Sequence, residues 1–209
     1  MAVEIKWINH ASFRIAAEDG VLYIDPWKLP DDPHDADLVF VSHDHFDHCS
    51  PEDIARVARE DTAIVAPESA LEKLHDARGV TPGENIYIKD IQVETVAAYN
   101  ISKSYHPRAN NWCGAVFTVD GKRIYYAGDT DLIPEMSDLT DVDVALLPIG
   151  GTYTLSADEA AEACGKIGCR AAIGYHWGDI VGDESDLEKF AESAPCEVHI
   201  LRPGQNVRL

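Results

Sequence analysis

Positive charge is scarce in this chain. Only 17 of its 209 residues are lysine or arginine, against 37 aspartates and glutamates, and the formal net charge is −20. A surface of this sign repels phosphate backbones, so we expect no nucleic-acid partner. A salt-rich cytoplasm and a simple need for solubility both account for the acidity, and the composition does not separate them.

Long apolar stretches are also missing. No run approaches the roughly 20 apolar residues that a membrane-spanning helix needs, and residues 1–6 lack the pattern of a signal peptide. No linker, repeat or low-complexity segment interrupts the chain. We therefore predict a single domain over residues 1–209, no membrane insertion and a cytoplasmic location.

A disulfide framework is a third absence. The five cysteines are odd in number, and no two of them form a CxxC pair. This usage is typical of reduced thiols in a cytoplasmic protein. Cys49 directly follows a histidine-rich segment, and we predict a small buried thiol there, with a stray metal ligand or a neighbour of the ligands as alternatives.

The order of strands and helices predicts the architecture. Asp19-Gly20 and Asp120-Gly121 are typical hairpin turns, and each lies in a batch of strands that later alternates with helices. The predicted strands cover residues 4–8, 12–16, 21–25, 38–41, 62–66, 86–89, 91–97, 114–119, 123–127, 143–148, 170–175 and 197–201. The predicted helices cover residues 51–59, 68–77, 156–167 and 185–194. Two such batches indicate an α/β chain folded as a four-layer αββα sandwich.

One seven-residue segment concentrates the candidate chemistry. Residues 42–48, Ser-His-Asp-His-Phe-Asp-His, carry three histidines and two aspartates. They follow the apolar run 38–41, which is typical of a strand buried on both faces. Ser50 and Pro51 then favour the start of a helix. Because imidazole and carboxylate are the usual protein ligands of zinc, this braced loop is a candidate metal site.

The spacing inside this segment indicates that its candidate ligands point in two directions. His43 and His45 are two residues apart, so in an extended loop they point to the same side. Asp47 and His48 lie where the chain turns and can address a second point nearby. Two adjacent metal positions fit this spacing better than one, and the alternative is a solvated, charged loop.

Three further candidate ligands follow downstream. His106 lies in an irregular polar stretch, whereas Asp129 and His176 each follow a predicted strand directly. A strand end is a rigid place from which to aim a ligand. Each residue also has an alternative role: His106 as a surface histidine, Asp129 as a cap for the turn beginning at Leu132, and His176 as a packed residue between aromatic neighbours.

The order and spacing of these residues resemble a known family. The series His43-x-His45-x-Asp47-His48, then His106, then Gly128-Asp129-Thr130, then His176, is similar to the metal-ligand series of the metallo-β-lactamase superfamily. More narrowly, the chain resembles the small metal-dependent hydrolases akin to L-ascorbate-6-phosphate lactonase and, more distantly, N-acyl phosphatidylethanolamine phospholipase D. The supporting strings are WINHASF at 7–13, YIDPW at 23–27, AYN at 98–100 and LLPIGG at 146–151.

The resemblance implies two metal positions. The first would be held by His43, His45 and His106, the second by Asp47, His48 and His176, and both would share Asp129 as a bridge. The implied cofactors are two divalent ions, with zinc preferred and manganese, nickel or iron as alternatives.

Two residues depart from the pattern of close relatives. Tyr126 stands where histidine is frequent, and Gly174-Tyr175 stands where Pro-Met is frequent. Neither position would touch a metal, so the expected consequence is a change in the shape of the substrate site.

The expected reaction is hydrolysis of a small ester, lactone or phosphoester by a hydroxide shared between the two ions. Asp47 would also orient the water, and Asp25 would brace a ligand. His10 would carry a proton or donate to the substrate, with a purely structural role as the alternative. The residues expected to contact the substrate are Thr152, Tyr153 and Trp177.

Three other functional classes compete with this one. An iron-dependent oxidoreductase of the same fold commonly carries a glutamate within the cluster, where His45 stands here. A nuclease usually adds a basic surface, which this chain lacks. A non-catalytic metal-binding protein is the third class. The expected partner is a small-molecule substrate, and association into a homo-oligomer is left open.

Overall fold

The computed structural model describes residues 2–209 as two seven-stranded sheets with three α-helices. The first sheet contains β1 (Glu4–Asn9), β2 (Ser12–Ala17), β3 (Gly20–Ile24), β4 (Leu38–Phe40), β5 (Ala63–Pro67), β6 (Arg78–Val80) and β14 (Asn206–Arg208). The second contains β7 (Asn85–Ile88), β8 (Ile91–Ala97), β9 (Cys113–Val119), β10 (Lys122–Tyr126), β11 (Val144–Pro148), β12 (Ala171–Tyr175) and β13 (Glu197–Val198).

The helices begin where their capping residues predict. They are α1 (Pro51–Val57), α2 (Ala157–Ile167) and α3 (Glu184–Ser193), and the 3₁₀ turns are Glu68–Ala70, Arg108–Asn110 and Pro134–Asp138. The side chain of Ser50 accepts a hydrogen bond from the backbone of Asp53 at the start of α1. Within residues 2–209, none of the helices has the length and apolar character needed to cross a bilayer.

The two sheets repeat one topology. In the first, β14 and β1 to β3 are antiparallel, and β3 to β6 are parallel, in the order β14-β1-β2-β3-β4-β5-β6. In the second, β7 to β10 are antiparallel and β10 to β13 are parallel, in the order β13-β12-β11-β10-β9-β8-β7. The parallel strands of both sheets therefore present their carboxyl ends to one edge.

Aromatic side chains fill the space between the sheets. The ring of Phe40 in β4 lies 5.2 Å from that of Phe117 in β9, and both are fully buried. On the opposite face of β4, Val39 packs with Ile54 and Val57 of α1. Helices α2 and α3 pack together, with α2 also against β11. The layers therefore run α, β, β, α, and the predicted sandwich is confirmed.

Several predicted elements differ from the observed ones. The prediction of a helix over residues 68–77 is wrong. Glu68–Ala70 forms a short 3₁₀ turn, and isolated turns follow it. The chain must return at once to place β6 parallel to β5, which leaves no room for a three-turn helix. The strand predicted over 197–201 shortens to β13, and the short edge strands β6 and β14 were not predicted.

This topology positions the candidate ligands at one edge of the sandwich. Asp25 follows β3 directly, and His43 lies three residues beyond β4. Asp129 lies three residues beyond β10, and His176 follows β12 directly. His106 belongs to the segment between β8 and β9. The parallel strands thus carry residues distant in sequence to the same place.

Candidate metal centre

Three histidines form one side of the centre. His43 and His45 come from the loop after β4, and His106 reaches them from the second sheet. Nε2 of His43 lies 3.1 Å from Nδ1 of His45. The three side chains offer ligand atoms that all lie within 4.8 Å of one another. His43 and His106 are buried, whereas His45 is partly exposed, so solvent reaches the group from one side.

A second group lies beside the first. It contains Asp47, His48 and His176, and it also includes His10, with all ligand atoms within 4.8 Å of one another. Nε2 of His10 is 3.1 Å from Oδ2 of Asp47, and the rings of His10 and His176 are 4.1 Å apart. His10 therefore lies beside the residues predicted for this position and is hydrogen-bonded to one of them, Asp47.

Asp129 lies between the two groups. Its Oδ2 atom is 3.2 Å from Nε2 of His106 and 3.2 Å from Nε2 of His176. Its Oδ1 atom is 3.5 Å from Nε2 of His48. One carboxylate thus contacts residues of both groups, which is the position that a bridging ligand requires.

Unpaired atoms test whether metal ions fit this site. Among residues 2–209, the buried atoms without a hydrogen-bond partner include Nε2 of His48, Nε2 of His106, both ring nitrogens of His176 and Oδ1 of Asp129. Each such atom costs about 1–3 kcal/mol unless something pairs with it. The 3.1–3.2 Å separations between neighbouring ligand atoms are close to the edge of about 3.3 Å expected for a tetrahedral zinc site. The residues therefore fit divalent metal ions.

Hydrogen bonds behind the ligands fix which nitrogen of each ring faces the centre. Nδ1–H of His48 donates to Oδ2 of Asp25 at 2.7 Å, and Nδ1–H of His43 donates to Oγ of Ser42 at 2.9 Å. Ser42 in turn donates to Asp25 at 2.5 Å. Nδ1 of His106 lies 3.0 Å from Oδ1 of Asn100. In all three rings this leaves Nε2 free for a metal, and Asp25 lies behind His48 and Ser42 as their hydrogen-bond acceptor.

The two tyrosines that depart from the family pattern support this bracing. Tyr126 donates to Oδ2 of Asp25 at 2.6 Å, and Tyr175 donates to the carbonyl oxygen of Gly128 at 2.7 Å. Their rings stack with centroids 5.1 Å apart, and both are fully buried. The expectation that they alter the substrate site is corrected: they hold Asp25 and the loop that carries Asp129.

The electrostatics of the site favour neutral imidazoles at His43 and His45 and an ionised carboxylate at Asp129. Burial lowers the pKa of His43 and of His45, so both rings are neutral and free to bind a metal. Burial alone would raise the pKa of Asp129, but the neighbouring His176 and His48 hold it well below its ordinary value. The carboxylate is therefore ionised.

Asp47 and His48 show the same competition. Burial would raise the pKa of Asp47, yet the hydrogen bond from His10 lowers it to about 2. Burial would lower the pKa of His48, yet the carboxylates of Asp129 and Asp25 raise it well above its ordinary value. A metal ion that binds Nε2 of His48 must therefore displace a proton.

Backbone strain occurs at two members of the second group and at Asp25 behind it. His10, Asp25 and His176 have positive φ angles of 40°, 44° and 62°. Such residues cost about 1–3 kcal/mol each and persist only where their surroundings hold them. The carbonyl oxygen of His10 accepts from the backbone N–H of His176 at 3.0 Å and from Nε1 of Trp7 at 2.9 Å. These bonds tie the β1–β2 turn of one sheet to the end of β12 in the other.

A cleft of about 220 Å³ opens onto the metal-site residues. Its metal-site walls come from His45, Asp47, His106, Asp129 and His176, and its other walls from Phe46, Tyr105, Tyr153 and Ile180. Phe46 is 68% exposed, Tyr105 49% and Ile180 39%. The cleft therefore has a rim of apolar and aromatic side chains above a floor of metal-site residues.

Of the three predicted substrate contacts, the structure places only Tyr153 in this cleft. Trp177 is buried, and its ring lies 5.3 Å from that of Trp7, so it packs in the core. Thr152 is exposed to solvent outside the cleft walls. His10 is buried behind Asp47, which corrects the expectation that it meets substrate directly.

A larger groove, of about 640 Å³, lies elsewhere on the second sheet. Its described lining contains no histidine, and its charged residues are Arg108, Glu135 and Asp138. Arg108 forms an ion pair with Glu135 at 2.9 Å. The smaller cleft therefore carries the candidate chemistry despite its size.

Sequence reasoning missed the apolar rim and part of the bracing. Phe46 lies inside the histidine-rich segment, and an aromatic residue in so polar a loop was the available signal. Asn100 lies six residues before His106, and its amide oxygen accepts from both the backbone and the ring of His106 at 3.0 Å. No local pattern distinguishes Ile180.

Comparison with known proteins gives a consistent result. A family model described as a beta-lactamase superfamily domain matches residues 4–191. A UPF0173 metal-dependent hydrolase from Nitratidesulfovibrio vulgaris is 31% identical over 238 aligned positions, which cover 100% of this chain and 96% of that protein.

Solved structures resemble this one closely. The crystal structure of a candidate metal-dependent hydrolase from Parabacteroides distasonis is 32% identical, with a TM-score of 0.86, and the match covers 97% of this chain and 94% of that one. The metallo-β-lactamase fold protein YhfI from Bacillus subtilis has a TM-score of 0.77 at 12% identity, over 98% of this chain and 99% of its own. The second likeness concerns the fold alone.

Proposed function

This chain belongs to the metallo-β-lactamase superfamily, and we propose that it is a hydrolase that uses two divalent metal ions, with zinc preferred. One observation carries the proposal: Asp129 contacts His106 of one group and His176 of the other, both at 3.2 Å. A site for a single ion would not need buried, unpaired nitrogen atoms on both sides of one carboxylate, as Nε2 of His106 and Nε2 of His176 are here.

The residues divide between the two positions as follows. His43, His45 and His106 would hold one ion, and Asp47, His48 and His176 the other. Asp129, which contacts both groups, would be shared. When bound, such ions lower the pKa of a coordinated water and polarise the oxygen of a bond to be cleaved. This is the chemistry that a hydrolase needs at neutral pH.

His10 positions Asp47 and helps to keep its carboxylate ionised. His10 holds Oδ2 of Asp47 at 3.1 Å, and the carboxylate also lines the cleft. Because its pKa is lowered to about 2, Asp47 stays ionised and can accept a hydrogen bond from an attacking water. His10 thus acts as a positioning residue, since it is buried and acts through Asp47.

The cleft favours a small substrate with an apolar group. Phe46, Tyr105, Tyr153 and Ile180 line it, and no lysine or arginine occurs among its described walls. Nearby cations are engaged elsewhere: Nζ of Lys103, for example, lies 2.5 Å from Asp131. Apart from the metal ions, nothing in the cleft walls would neutralise the charge of a phosphoester. The net charge of −20 also repels anions. We therefore favour a neutral ester, lactone or amide.

Reconstitution followed by an assay tests the proposal. Protein stripped with a chelator is reloaded with zinc or manganese and assayed on nitrophenyl acetate, nitrophenyl butyrate, small lactones and nitrophenyl phosphate. We expect hydrolysis only after reloading, with the neutral esters or lactones cleaved faster than the phosphate. Asp47→Asn should abolish turnover. His75→Ala, which changes an exposed histidine in the segment between β5 and β6, should not.

Two results would contradict the proposal. Full metal uptake without turnover of any neutral or phosphate substrate indicates a non-catalytic metal-binding protein. Hydrolysis that is unchanged by stripping and by Asp47→Asn would show that the His/Asp centre is not the catalyst.

A further inference from the structure

Three of the five cysteines meet at the opposite end of the second sheet. Cys164 lies in α2, Cys169 follows the end of that helix, and Cys196 precedes β13. Their sulfur atoms all lie within 4.8 Å of one another, and those of Cys169 and Cys196 are 3.8 Å apart. All are free thiols. None has a role in the proposed hydrolysis.

The fold itself creates this meeting point. Helix α2 is capped by Gly168, whose φ of 67° lets the chain turn back so that Cys169 lies beside the last turns of the helix. Strands β12 and β13 are parallel neighbours, with Ala171 paired to Glu197. Cys169 lies two residues before Ala171, and Cys196 lies one residue before Glu197. The two cysteines are therefore neighbours at the amino ends of β12 and β13.

The cluster is remote from the His/Asp centre. His176 follows the carboxyl end of β12, whereas Cys169 precedes its amino end. The five residues of β12 separate the two by about 16 Å at about 3.3 Å per residue. A ligand at the cysteines would therefore not share an atom with the proposed hydrolytic site.

The spacing and chemistry of the cluster suit a thiophilic metal ion. In a tetrahedral site with Zn–S bonds of about 2.3 Å, two sulfur ligands lie about 3.8 Å apart, which agrees with the separation of Cys169 and Cys196. The sulfur atoms of Cys169 and Cys196 are close enough for one thiol to donate a hydrogen bond to the other. Cys196 is the partly exposed member of the three, so solvent reaches the cluster on its side.

We infer that Cys164, Cys169 and Cys196 form a second metal site, distinct from the hydrolytic centre, that binds one zinc ion through three thiolates. Among residues 2–209, no fourth histidine, cysteine or carboxylate has a ligand atom within 4.8 Å of all three sulfur atoms. The fourth position belongs to a solvent molecule on the side of Cys196. Binding exchanges thiol protons for the metal, so three protons at most leave the cluster per ion.

Cobalt substitution distinguishes this site from the other. The His/Asp centre offers only nitrogen and oxygen ligands, so a thiolate-to-cobalt charge-transfer band in the near ultraviolet reports the cysteines alone. The reduced full-length protein is titrated with Co²⁺, and the titration is repeated in an Asp129→Ala background. We expect about one equivalent of cobalt with thiolate character in both, displaced by zinc.

Single substitutions locate the signal. Cys169→Ser and Cys196→Ser should each weaken cobalt binding with thiolate character by at least about tenfold. Cys113→Ala, a buried cysteine outside the cluster, should leave the band unchanged. Circular dichroism checks that each variant is folded, and Cys196→Ser is the more tolerant one because Cys196 is only partly buried.

The inference is overturned if reduced wild-type protein gives no thiolate-to-cobalt band, or if the band survives unchanged in both serine variants. A disulfide between two of these cysteines, in protein that takes up no cobalt after reduction, would mean a redox pair instead. Because none of these readouts involves hydrolysis, the outcome is independent of the proposed function.

Discussion

The phenol of Tyr126 donates a 2.6 Å hydrogen bond to Oδ2 of Asp25, the same oxygen that accepts from Nδ1 of His48 at 2.7 Å. Tyr126 ends β10 in the second sheet, and Asp25 follows β3 in the first. One buried contact therefore joins the two sheets and fixes the orientation of a proposed metal ligand. Groups that orient a ligating histidine in this way commonly contribute to metal affinity.

Replacing Tyr126 with phenylalanine tests this contact. Tyr126→Phe should lower stability by about 1.5–3 kcal/mol, because it removes a hydrogen bond to a buried carboxylate. It should also weaken metal binding by about 10-fold or more, mainly at the position that includes His48. The measurements are urea unfolding and competition for metal with a chromogenic chelator.

The neighbouring tyrosine provides a matched control. The hydroxyl of Tyr125 is buried and has no hydrogen-bond partner among residues 2–209. Tyr125→Phe should therefore leave metal affinity unchanged and be neutral or stabilising. If the two substitutions have the same effect, the bond to Asp25 does not orient His48.

Metal content should follow the division of the ligands. Asp129→Ala should lower occupancy of both positions, whereas His106→Ala should empty mainly the first and His176→Ala mainly the second. The reason is that the carboxylate of Asp129 lies within 3.5 Å of ligand nitrogens from both groups. Elemental analysis gives ions per chain, and circular dichroism checks folding. Two tightly held ions in Asp129→Ala, with full activity, would show that it does not bridge.

The candidate ligands were accessible to sequence reasoning because their chemistry restricts residue type and spacing. His43, His45, Asp47 and His48 lie within one short segment after a buried strand, so their proximity needed no knowledge of the fold. Asp129 follows a strand as predicted, and the parallel order of the sheet brings it to the same edge.

The walls of the cleft were not accessible in this way. Phe46, Tyr105 and Ile180 lie on three different loops, and their common position depends on how the two sheets pack. Trp177 was misplaced because the left-handed conformation of His176 redirects the chain, and the indole turns into the core against Trp7. Such changes of direction leave no periodic signal in the sequence.

The loop that carries His106 should show acid sensitivity through Asp131. Burial would raise the pKa of Asp131, but the hydrogen bonds from Lys103 and from the backbone of Ile101 and Ser102 lower it. A carboxylate with a lowered pKa stabilises the fold above its unfolded value of about 4, and this contribution disappears as pH falls through the folded value. Asp131→Asn should therefore cost about 1–3 kcal/mol near neutral pH.

The pH dependence separates this effect from a general loss of packing. The difference in unfolding free energy between wild type and Asp131→Asn should narrow as pH falls below about 4. Urea unfolding of chelator-treated protein at several pH values measures it. Asp90→Asn, an exposed aspartate in the β7–β8 turn, is the control and should stay within about 0.5 kcal/mol. A difference that is constant with pH would contradict the assignment.

Gly150 provides the last test, because its missing side chain lets the backbone of His176 approach. A Cβ atom at Gly150 would lie 2.4 Å from the carbonyl oxygen of His176 and 2.7 Å from Cγ2 of Val181. Gly150→Ala should therefore displace His176, cost about 1–3 kcal/mol, and lower metal occupancy at the position that includes His176. Gly165 lies within α2, and a Cβ atom there would meet only Cγ of Pro195, at 3.7 Å. Gly165→Ala should therefore stabilise the protein by about 0.5–1 kcal/mol. Thermal unfolding and metal content measure both variants, and unchanged metal content in Gly150→Ala would show that His176 does not depend on this close approach.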